Sequence, residues 1–187
     1  AHPQRVWDWY QYRRNLLTGV APNAGHQALA AFAQQYPDRL TLTTQNVDGL
    51  HQRAGSVGVL CLHGDIFENR WLDVPRNCCY IDQAVAGNPP YCDRCGNLLR
   101  PGVVWFGEAL PFSTLESAQH AARTCDLMLV VGTAGAVYPA ADLAHQARAA
   151  GARVVVVNPA PSELDSAAHG VLRGTAATVL PELLVTG

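Results

Sequence analysis

The sequence contains no lysine, and all 13 of its basic residues are arginines. Charged residues of either sign make up only 15% of the 187 residues, and the formal net charge is -2. Without a surplus of positive charge, the chain lacks the broad cationic face that typically binds a nucleic-acid backbone. We therefore expect no nucleic-acid partner.

Long hydrophobic runs are missing as well. The longest, around residues 127–131 and 154–157, have the length of a strand, whereas a membrane helix needs about 18 apolar residues or more. The first residues show neither a starting Met nor the apolar core of a signal peptide. Six cysteines in such a chain are typical of thiols or metal ligands rather than disulfides. We expect no membrane partner and a cytoplasmic location.

Hydrophobic residues, at 49% of the chain, are numerous enough to bury a core. Residues 5–17 and 26–35 show the apolar spacing of helices. From residue 40 onward, apolar strands alternate with helices, with strands expected near 40–44, 59–63, 103–106, 126–131 and 153–157 and helices near 113–124, 139–150 and 174–185. This pattern predicts an α/β fold with a parallel sheet covered on both faces. Residues 66–101 break the rhythm and hold four of the six cysteines, as in a small inserted module.

Ligands bind at the carboxyl ends of the strands in such a sheet, so the residues that follow each strand are candidate site residues. After one strand, Gly132 would let backbone amides approach a ligand closely, and Thr133 offers a hydroxyl. Many loops of this composition bind no nucleotide. After the next strand, Asn158 fits a contact to a ribose, or a plain turn residue.

Two further strand ends carry groups suited to catalysis. His63 could serve as a general base near neutral pH, or as a structural hydrogen-bonding residue. Gln45, Asn46 and Asp48 place amides and a carboxylate on one short turn, which suits the binding of a carboxamide or the ordering of a water. The alternative is that Asp48 caps the next helix and Asn46 shapes the turn.

The cysteine pattern suggests half of a zinc site. Cys92 and Cys95 form a C-x-x-C-G knuckle, which aims two thiolates at one metal. Cys78 and Cys79 are adjacent, and neighbouring side chains are expected to diverge too far to chelate one metal together. One of the two would complete three ligands, or all are ordinary thiols in a metal-free loop.

An aromatic and a basic residue share one face of the first helix. Tyr10 and Arg13 lie three positions apart, so a phenol and a guanidinium can converge on a carboxylate. The alternative is a half-buried tyrosine beside a solvated arginine.

Together, and in this order, these segments closely resemble the sirtuins, a family of NAD-dependent protein lysine deacylases. The resemblance spans nearly the whole chain. Its most specific strings are residues 44–51, Thr-Gln-Asn-Val-Asp-Gly-Leu-His, and 100–108, Arg-Pro-Gly-Val-Val-Trp-Phe-Gly-Glu. The other matching segments are residues 62–64, 92–96, 131–133 and 137–140 and Asn158.

The resemblance implies a Rossmann-like, doubly wound NAD-binding domain at residues 38–65 and 102–187. A small second domain would combine a helical part at residues 1–37 with a zinc-ribbon-like insert at 66–101, whose zinc is structural. Acyl-lysine protein or peptide would pair as an added strand with residues 104–108. The implied reaction removes acyl groups from lysine and releases nicotinamide and O-acyl-ADP-ribose.

The resemblance also implies roles for single residues. His63 matches the general base that accepts a ribose hydroxyl proton, Asn46 the residue that orders water and ribose, and Asp48 the contact to the nicotinamide carboxamide. Gln45 would assist at the ribose. The remaining residues expected at the cofactor are Val47, Gly132, Thr133, Ala134, Asn158, Pro159, Ala160 and Ala176.

Tyr10 and Arg13 match the Tyr-x-x-Arg motif of the sirtuin class that includes desuccinylases and demalonylases, so we expect succinyl or malonyl groups as substrates beside acetyl. The alternative function is a sirtuin-like protein ADP-ribosyltransferase, which shares the cofactor site. A nicotinamide dehydrogenase would need a G-x-G-x-x-G turn, which the chain lacks.

The chain departs from the family pattern at two places. The glycine-rich first motif is missing, so we expect the first strand of the sheet to be absent and this chain alone not to turn over. The first C-x-x-C of the metal module would fall near Trp71 and Val74, neither of which binds zinc.

Overall fold

A computed structural model describes residues 2–184 of the chain. The chain forms two units, each built from three separate segments. The segments of the first unit are Ala1–Val20, Asn46–Gly49 and His63–Ala109. Those of the second unit are Ala21–Gln45, Leu50–Leu62 and Leu110–Gly187. Within the described range, no helix combines the length and the hydropathy needed to span a bilayer.

The first unit packs a helix against a two-stranded antiparallel sheet. Helix α1 (Pro3–Thr18) begins with a proline, whose fixed φ suits the first helical turn. It buries Tyr10 in a cluster with Ile66 and Val103, and the last two of these residues belong to the two strands.

The next elements along the chain belong to the second unit. They are helix α2 (Ala24–Gln35), strand β1 (Thr43–Thr44), helix α3 (Leu50–Arg53) and strand β2 (Leu60–Cys61).

The antiparallel strands of the first unit are β3 (Gly64–Trp71) and β4 (Leu99–Val103). Gly64 adopts a φ of +79°, and a Cβ atom there would lie 1.9 Å from the carbonyl oxygen of Gly102. No other residue type allows so close an approach of the two backbones. The glycine after His63 therefore fixes where β3 starts.

Between β3 and β4 the chain has little regular structure. A short 3₁₀ helix (Ile81–Gln83) and isolated bridges are its regular elements among the described residues. Its apolar cluster is small and is formed by Trp7, Trp71, Cys92 and Leu99. The prediction of a module with little core of its own agrees with this structure.

The second unit contains two parallel sheets. Strands β1 and β2 pair in one of them. Strand β5 (Leu127–Val131), strand β6 (Arg153–Val157) and strand β7 (Gly170–Leu172) form the other, in the order β5-β6-β7. The remaining helices are α4 (Phe112–Thr124), α5 (Asp142–Ala149), a 3₁₀ helix (Glu163–Ala167) and α6 (Ala176–Leu184).

Helices cover both faces of this sheet. Val130 of β5 packs in one cluster with side chains of α4 and α5. Its neighbours Leu129 and Val131 pack in another cluster with side chains of α2 and α6. Because successive strand residues point to opposite faces, helices pack against β5 from both sides. This arrangement confirms the prediction of an α/β fold with a doubly wound parallel sheet.

Several boundaries differ from those predicted from sequence. The strand expected at residues 103–106 is instead β4, which ends at Val103. The segment expected to lose regular structure from residue 66 begins within β3. Helix α2 packs on α6 and belongs to the second unit, although the sequence grouped it with residues 1–37. The reason is that its apolar face, with Ala28 and Leu29, lies against Leu180.

Candidate active site

In the second unit, the loops after β5 and β6 are tied together. The backbone N–H of Gly132 donates to the carbonyl oxygen of Val157 at 3.0 Å. The side-chain amide of Asn158 donates to the carbonyl oxygen of Thr133 at 3.1 Å. Gly132 adopts a φ of +62°, which lets the chain turn sharply at the strand end. The structure thus brings together the residues predicted at the carboxyl ends of these two strands.

Thr133 offers a donor to a ligand. Its side-chain oxygen accepts a hydrogen bond from the backbone N–H of Gly135 at 3.2 Å. A hydroxyl that accepts one bond keeps its own proton for donation to another acceptor. Ala134 follows in the same loop, and its carbonyl oxygen accepts from the backbone N–H of Glu163 at 3.1 Å.

An arginine not predicted from sequence holds the second loop in place. The guanidinium of Arg173 donates to the carbonyl oxygens of Asn158 at 3.4 Å and Ala160 at 2.9 Å. It also forms a hydrogen-bonded ion pair with Asp165, and the hydrogen bond from Arg173 lowers the pKa of the Asp165 carboxyl. The loop that contains Asn158, Pro159 and Ala160 is therefore fastened at both ends.

Two other predicted cofactor residues lie elsewhere in the second unit. Gln45 directly follows β1 and is half-buried. Ala176 is the first residue of α6. Its carbonyl oxygen lies so close to Gly25 that a Cβ atom on Gly25 would be only 2.6 Å from it. Their roles in cofactor binding stay predictions.

In the first unit, the segment with Asn46, Val47 and Asp48 lies beside the start of β3. The carbonyl oxygen of Val47 accepts a hydrogen bond from the backbone N–H of Ile66 at 2.9 Å. His63 directly precedes β3, and its carbonyl oxygen accepts from the backbone N–H of Val104 at 2.9 Å. Backbone hydrogen bonds therefore hold both predicted catalytic segments against the two strands.

Tyr10 and Arg13 lie near each other on α1, as predicted. The Cζ atom of Arg13 lies 4.8 Å from the ring centre of Trp9 and 5.9 Å from that of Tyr10. Tyr10 is only 8% exposed. A cavity of about 460 Å³ adjoins this face, and it is lined by Arg5, Val6, Trp9, Tyr10 and Trp105.

Glu108, the last residue of the segment 100–108, belongs to a cluster of charged side chains. Its carboxylate forms ion pairs with Arg70 at 2.7 Å and with the buried Arg100. It also accepts a hydrogen bond from the backbone N–H of Trp105 at 2.8 Å. Burial raises the pKa of Glu108, but the bonds from Arg100 and the Trp105 backbone lower it more, so the pKa lies below its ordinary value.

The cysteines form a candidate metal centre within the first unit. The sulfur atoms of Cys78, Cys79, Cys92 and Cys95 all lie within 4.8 Å of one another. Four thiolates around a tetrahedral zinc, with Zn–S bonds of about 2.3 Å, would lie roughly 3.8 Å apart. The donor set therefore fits zinc, with all four cysteines as ligands and a structural role for the metal.

The expectation that Cys78 and Cys79 diverge too far to share a metal was wrong. The backbone N–H of Cys79 donates to the carbonyl oxygen of Arg76 at 2.9 Å, so the chain turns here and both sulfurs reach the cluster. Trp71, which stands near where the family pattern has its first cysteine pair, instead donates from its indole N–H to the carbonyl oxygen of Cys79 at 3.2 Å.

The environment of Cys92 favours a thiolate. Burial raises the pKa of this thiol, but the backbone N–H groups of Arg94 and Cys95 outweigh burial and lower the pKa to about 7. Such amides at a C-x-x-C-G turn are typical of sulfurs that bind zinc.

Residues 1–139 match the model of the Sir2 family. An NAD-dependent protein deacylase of Ralstonia nicotianae is 55% identical over 183 residues, which cover 98% of this chain and 73% of that protein.

Solved structures of Sir2 proteins are similar to this chain as well. The crystal structure of a Sir2 homolog–NAD complex matches with a TM-score of 0.85 and 38% identity, covering 98% of this chain and 72% of that one. A structure of Sir2Tm bound to a propionylated peptide matches with a TM-score of 0.86 and 29% identity, covering 98% of this chain and 78% of that one. The chain therefore belongs to the Sir2 family, as the resemblance to sirtuins predicted.

Proposed function

We propose that this protein is an enzyme that removes acyl groups from protein lysine side chains in an NAD-dependent reaction. The name of the Ralstonia relative, which matches nearly the whole chain, carries this proposal. The Sir2 structures with NAD and with a propionylated peptide support it. The alternative of a protein ADP-ribosyltransferase is not favoured by these relatives.

The residues in the second unit fit NAD. A dinucleotide needs hydroxyl and backbone donors at the carboxyl ends of parallel strands. Thr133 and the loop with Asn158 provide them at β5 and β6. When bound, NAD supplies the ribose carbon to which the acyl oxygen is transferred, with nicotinamide as the leaving group.

The residues of the first unit would handle the proton and the substrate. His63 accepts the proton of a ribose hydroxyl, since an imidazole can serve as a general base. Asn46 orders water and the ribose, and Asp48 binds the nicotinamide carboxamide. The products are nicotinamide and O-acyl-ADP-ribose. The four cysteines would hold a zinc ion that would stabilise the module between β3 and β4 and would take no part in the reaction.

The finer substrate is an acyl group that ends in a carboxylate, such as succinyl or malonyl, beside acetyl. Support comes from the phenol of Tyr10 and the guanidinium of Arg13, which lie close together on one face of α1. A guanidinium forms strong charge-assisted hydrogen bonds with a carboxylate.

The substrates would be acyl-lysine proteins or peptides in the cytoplasm, without nucleic acid or membrane partners. The six cysteines form no disulfide in the described part of the chain, which is compatible with a reducing compartment. Fractionation of cells, with the protein followed by antibody, tests the location. Recovery in a membrane or secreted fraction would contradict it.

Loss of acyl groups from matched succinyl-lysine and acetyl-lysine peptides, followed by mass spectrometry, tests the reaction. Protein from the complete gene is compared as wild type, His63→Ala and Arg13→Met. We expect His63→Ala to lose turnover of both peptides and Arg13→Met to lose mainly the succinyl turnover. Absence of NAD-dependent turnover of both peptides by the wild type would overturn the proposed function.

A further inference from the structure

Trp105 contacts the hydroxyl of Tyr10 directly. The indole Nε1–H donates to the Tyr10 oxygen at 3.0 Å, across 95 positions of sequence. An indole N–H is a donor only, so the phenol must accept in this bond. The phenol therefore keeps its own O–H for donation to a different acceptor.

Trp105 is itself held from two sides. Its backbone N–H donates to the Glu108 carboxylate at 2.8 Å. Its ring lies against the guanidinium of Arg100, whose Cζ atom is 3.3 Å from the ring centre. Arg100 is 4% exposed and is fixed by its ion pair with Glu108. Stacking on a cation and a charge-assisted backbone bond together fix the direction of the indole N–H.

The same indole forms a wall of the cavity on α1. Val6 and Trp9 provide further apolar wall, and Tyr10 also lines the cavity. The rings of Trp9 and Tyr10 pack edge to face, with 4.7 Å between their centres. The guanidinium of Arg13 lies over the Trp9 ring. The cation that lines this cavity is Arg5, so an acyl chain with methylene groups and a terminal carboxylate matches apolar walls beside a phenol donor and a cation.

We propose that Trp105 is a positioning residue for acyl selectivity. Its indole N–H donates to the Tyr10 oxygen and so directs the Tyr10 O–H toward the carboxylate of the acyl group. This inference rests on the proposed deacylase function and deepens it. The effect of Trp105 is transmitted through Tyr10 and concerns only acyl groups that end in a carboxylate.

A double-mutant cycle tests this inference. Trp105→Phe removes the indole N–H and keeps a ring beside Arg100, and Tyr10→Phe removes the phenol. Each variant should raise the KM for a succinyl-lysine peptide about ten- to a hundredfold, the range of one lost hydrogen bond to a charged group, with kcat nearly unchanged. The double variant should show no further loss, because Trp105 acts through Tyr10.

The acetyl-lysine peptide and Tyr12→Phe are the controls. The succinyl-to-acetyl ratio of kcat/KM should fall about tenfold or more in Trp105→Phe, because any general effect of residues 104–108 on peptide binding changes both peptides alike. Tyr12 lies on the same helix and is 61% exposed, so the loss of its hydroxyl should change neither substrate. Melting temperatures of all variants show whether they fold.

The outcomes separate this inference from the proposed function. A wild type that turns over neither peptide contradicts the proposed function, and this inference with it. A wild type that turns over both, with an unchanged succinyl-to-acetyl ratio in Trp105→Phe, contradicts the positioning role alone. Equal loss with both peptides, or additive losses in the double variant, would also overturn it, because either result indicates a general structural role.

Discussion

The side-chain amide of Asn158 donates a hydrogen bond to the backbone carbonyl oxygen of Thr133 at 3.1 Å. This bond joins the loop after β6 to the loop after β5, at the strand ends where dinucleotides bind in folds of this kind. The position of Thr133 for a ligand therefore depends on a side chain 25 residues further along the chain.

We expect Asn158→Ala to weaken the binding of NAD. Loss of the bond to Thr133 costs about 1 kcal/mol, which corresponds to a rise of roughly fivefold in the KM for NAD. Asn158→Asp should be more harmful, because its carboxylate would face the Thr133 carbonyl oxygen. Initial rates at varied NAD measure this effect. Asn15→Ala, an exposed amide on α1, is the matched control, and an unchanged KM in Asn158→Ala would contradict the prediction.

Arg173 should matter for the same loop, although it is not expected to touch the cofactor. Its bonds to the carbonyl oxygens of Asn158 and Ala160 hold the loop after β6. We expect Arg173→Met to raise the KM for NAD about threefold or more, with a smaller change in kcat. Arg153→Met, at the opposite end of β6, removes the same charge and should leave the KM unchanged. Equal effects of the two substitutions would point to charge rather than to the loop.

Much of the fold could be predicted because its strands are short apolar runs. The strand β6 has the limits expected from its run of valines, and β5 begins one residue later than expected. Strand β7 (Gly170–Leu172) was not predicted, because three half-buried or exposed residues give no periodic signal. Strands β1 and β2 are shorter than expected, with two residues each.

The predictions of site residues rest on local strings, and they missed contacts between residues that are distant in sequence. Asn46, Asp48 and His63 follow strands, so their sequence context is informative. The bond between Trp105 and Tyr10 spans 95 positions, and nothing in the local sequence of either residue indicates it. The paired cysteines were misjudged for a related reason, because the backbone turn at Arg76 that lets both sulfurs converge is a structural feature.

The four cysteines should bind one zinc ion per chain. We expect Cys79→Ser to lose most of the metal and to lower the melting temperature, because the module between β3 and β4 has a small apolar cluster. Inductively coupled plasma mass spectrometry measures the metal. Cys61→Ser is the matched control, since Cys61 lies outside the cluster and a serine hydroxyl can still accept from the Gln52 amide. Full zinc content in Cys79→Ser would contradict a four-cysteine site.

Glu108 should make the stability of the protein sensitive to acid. Its pKa is below the ordinary value of about 4.3 in the folded state. A carboxylate with a lowered pKa stabilises the fold above its unfolded pKa, and this stabilisation is lost as the pH falls through its folded pKa. The contribution should therefore be complete at pH 7, should begin to decrease below the unfolded value of about 4.3, and should be lost as the pH falls through the lowered folded pKa.

Glu108→Gln tests this linkage. The substitution leaves the buried guanidinium of Arg100 without its charge partner, so we expect a loss of about 2 kcal/mol in the free energy of unfolding at pH 7. The difference from wild type should shrink as the pH falls below the unfolded value of about 4.3, because protonation of the wild-type carboxyl then becomes linked to unfolding. Urea denaturation at pH 7, 5 and 3 measures it, with Glu116→Gln on the exposed face of α4 as control. A difference that stays constant over this range would show that the ionisation of Glu108 does not stabilise the fold.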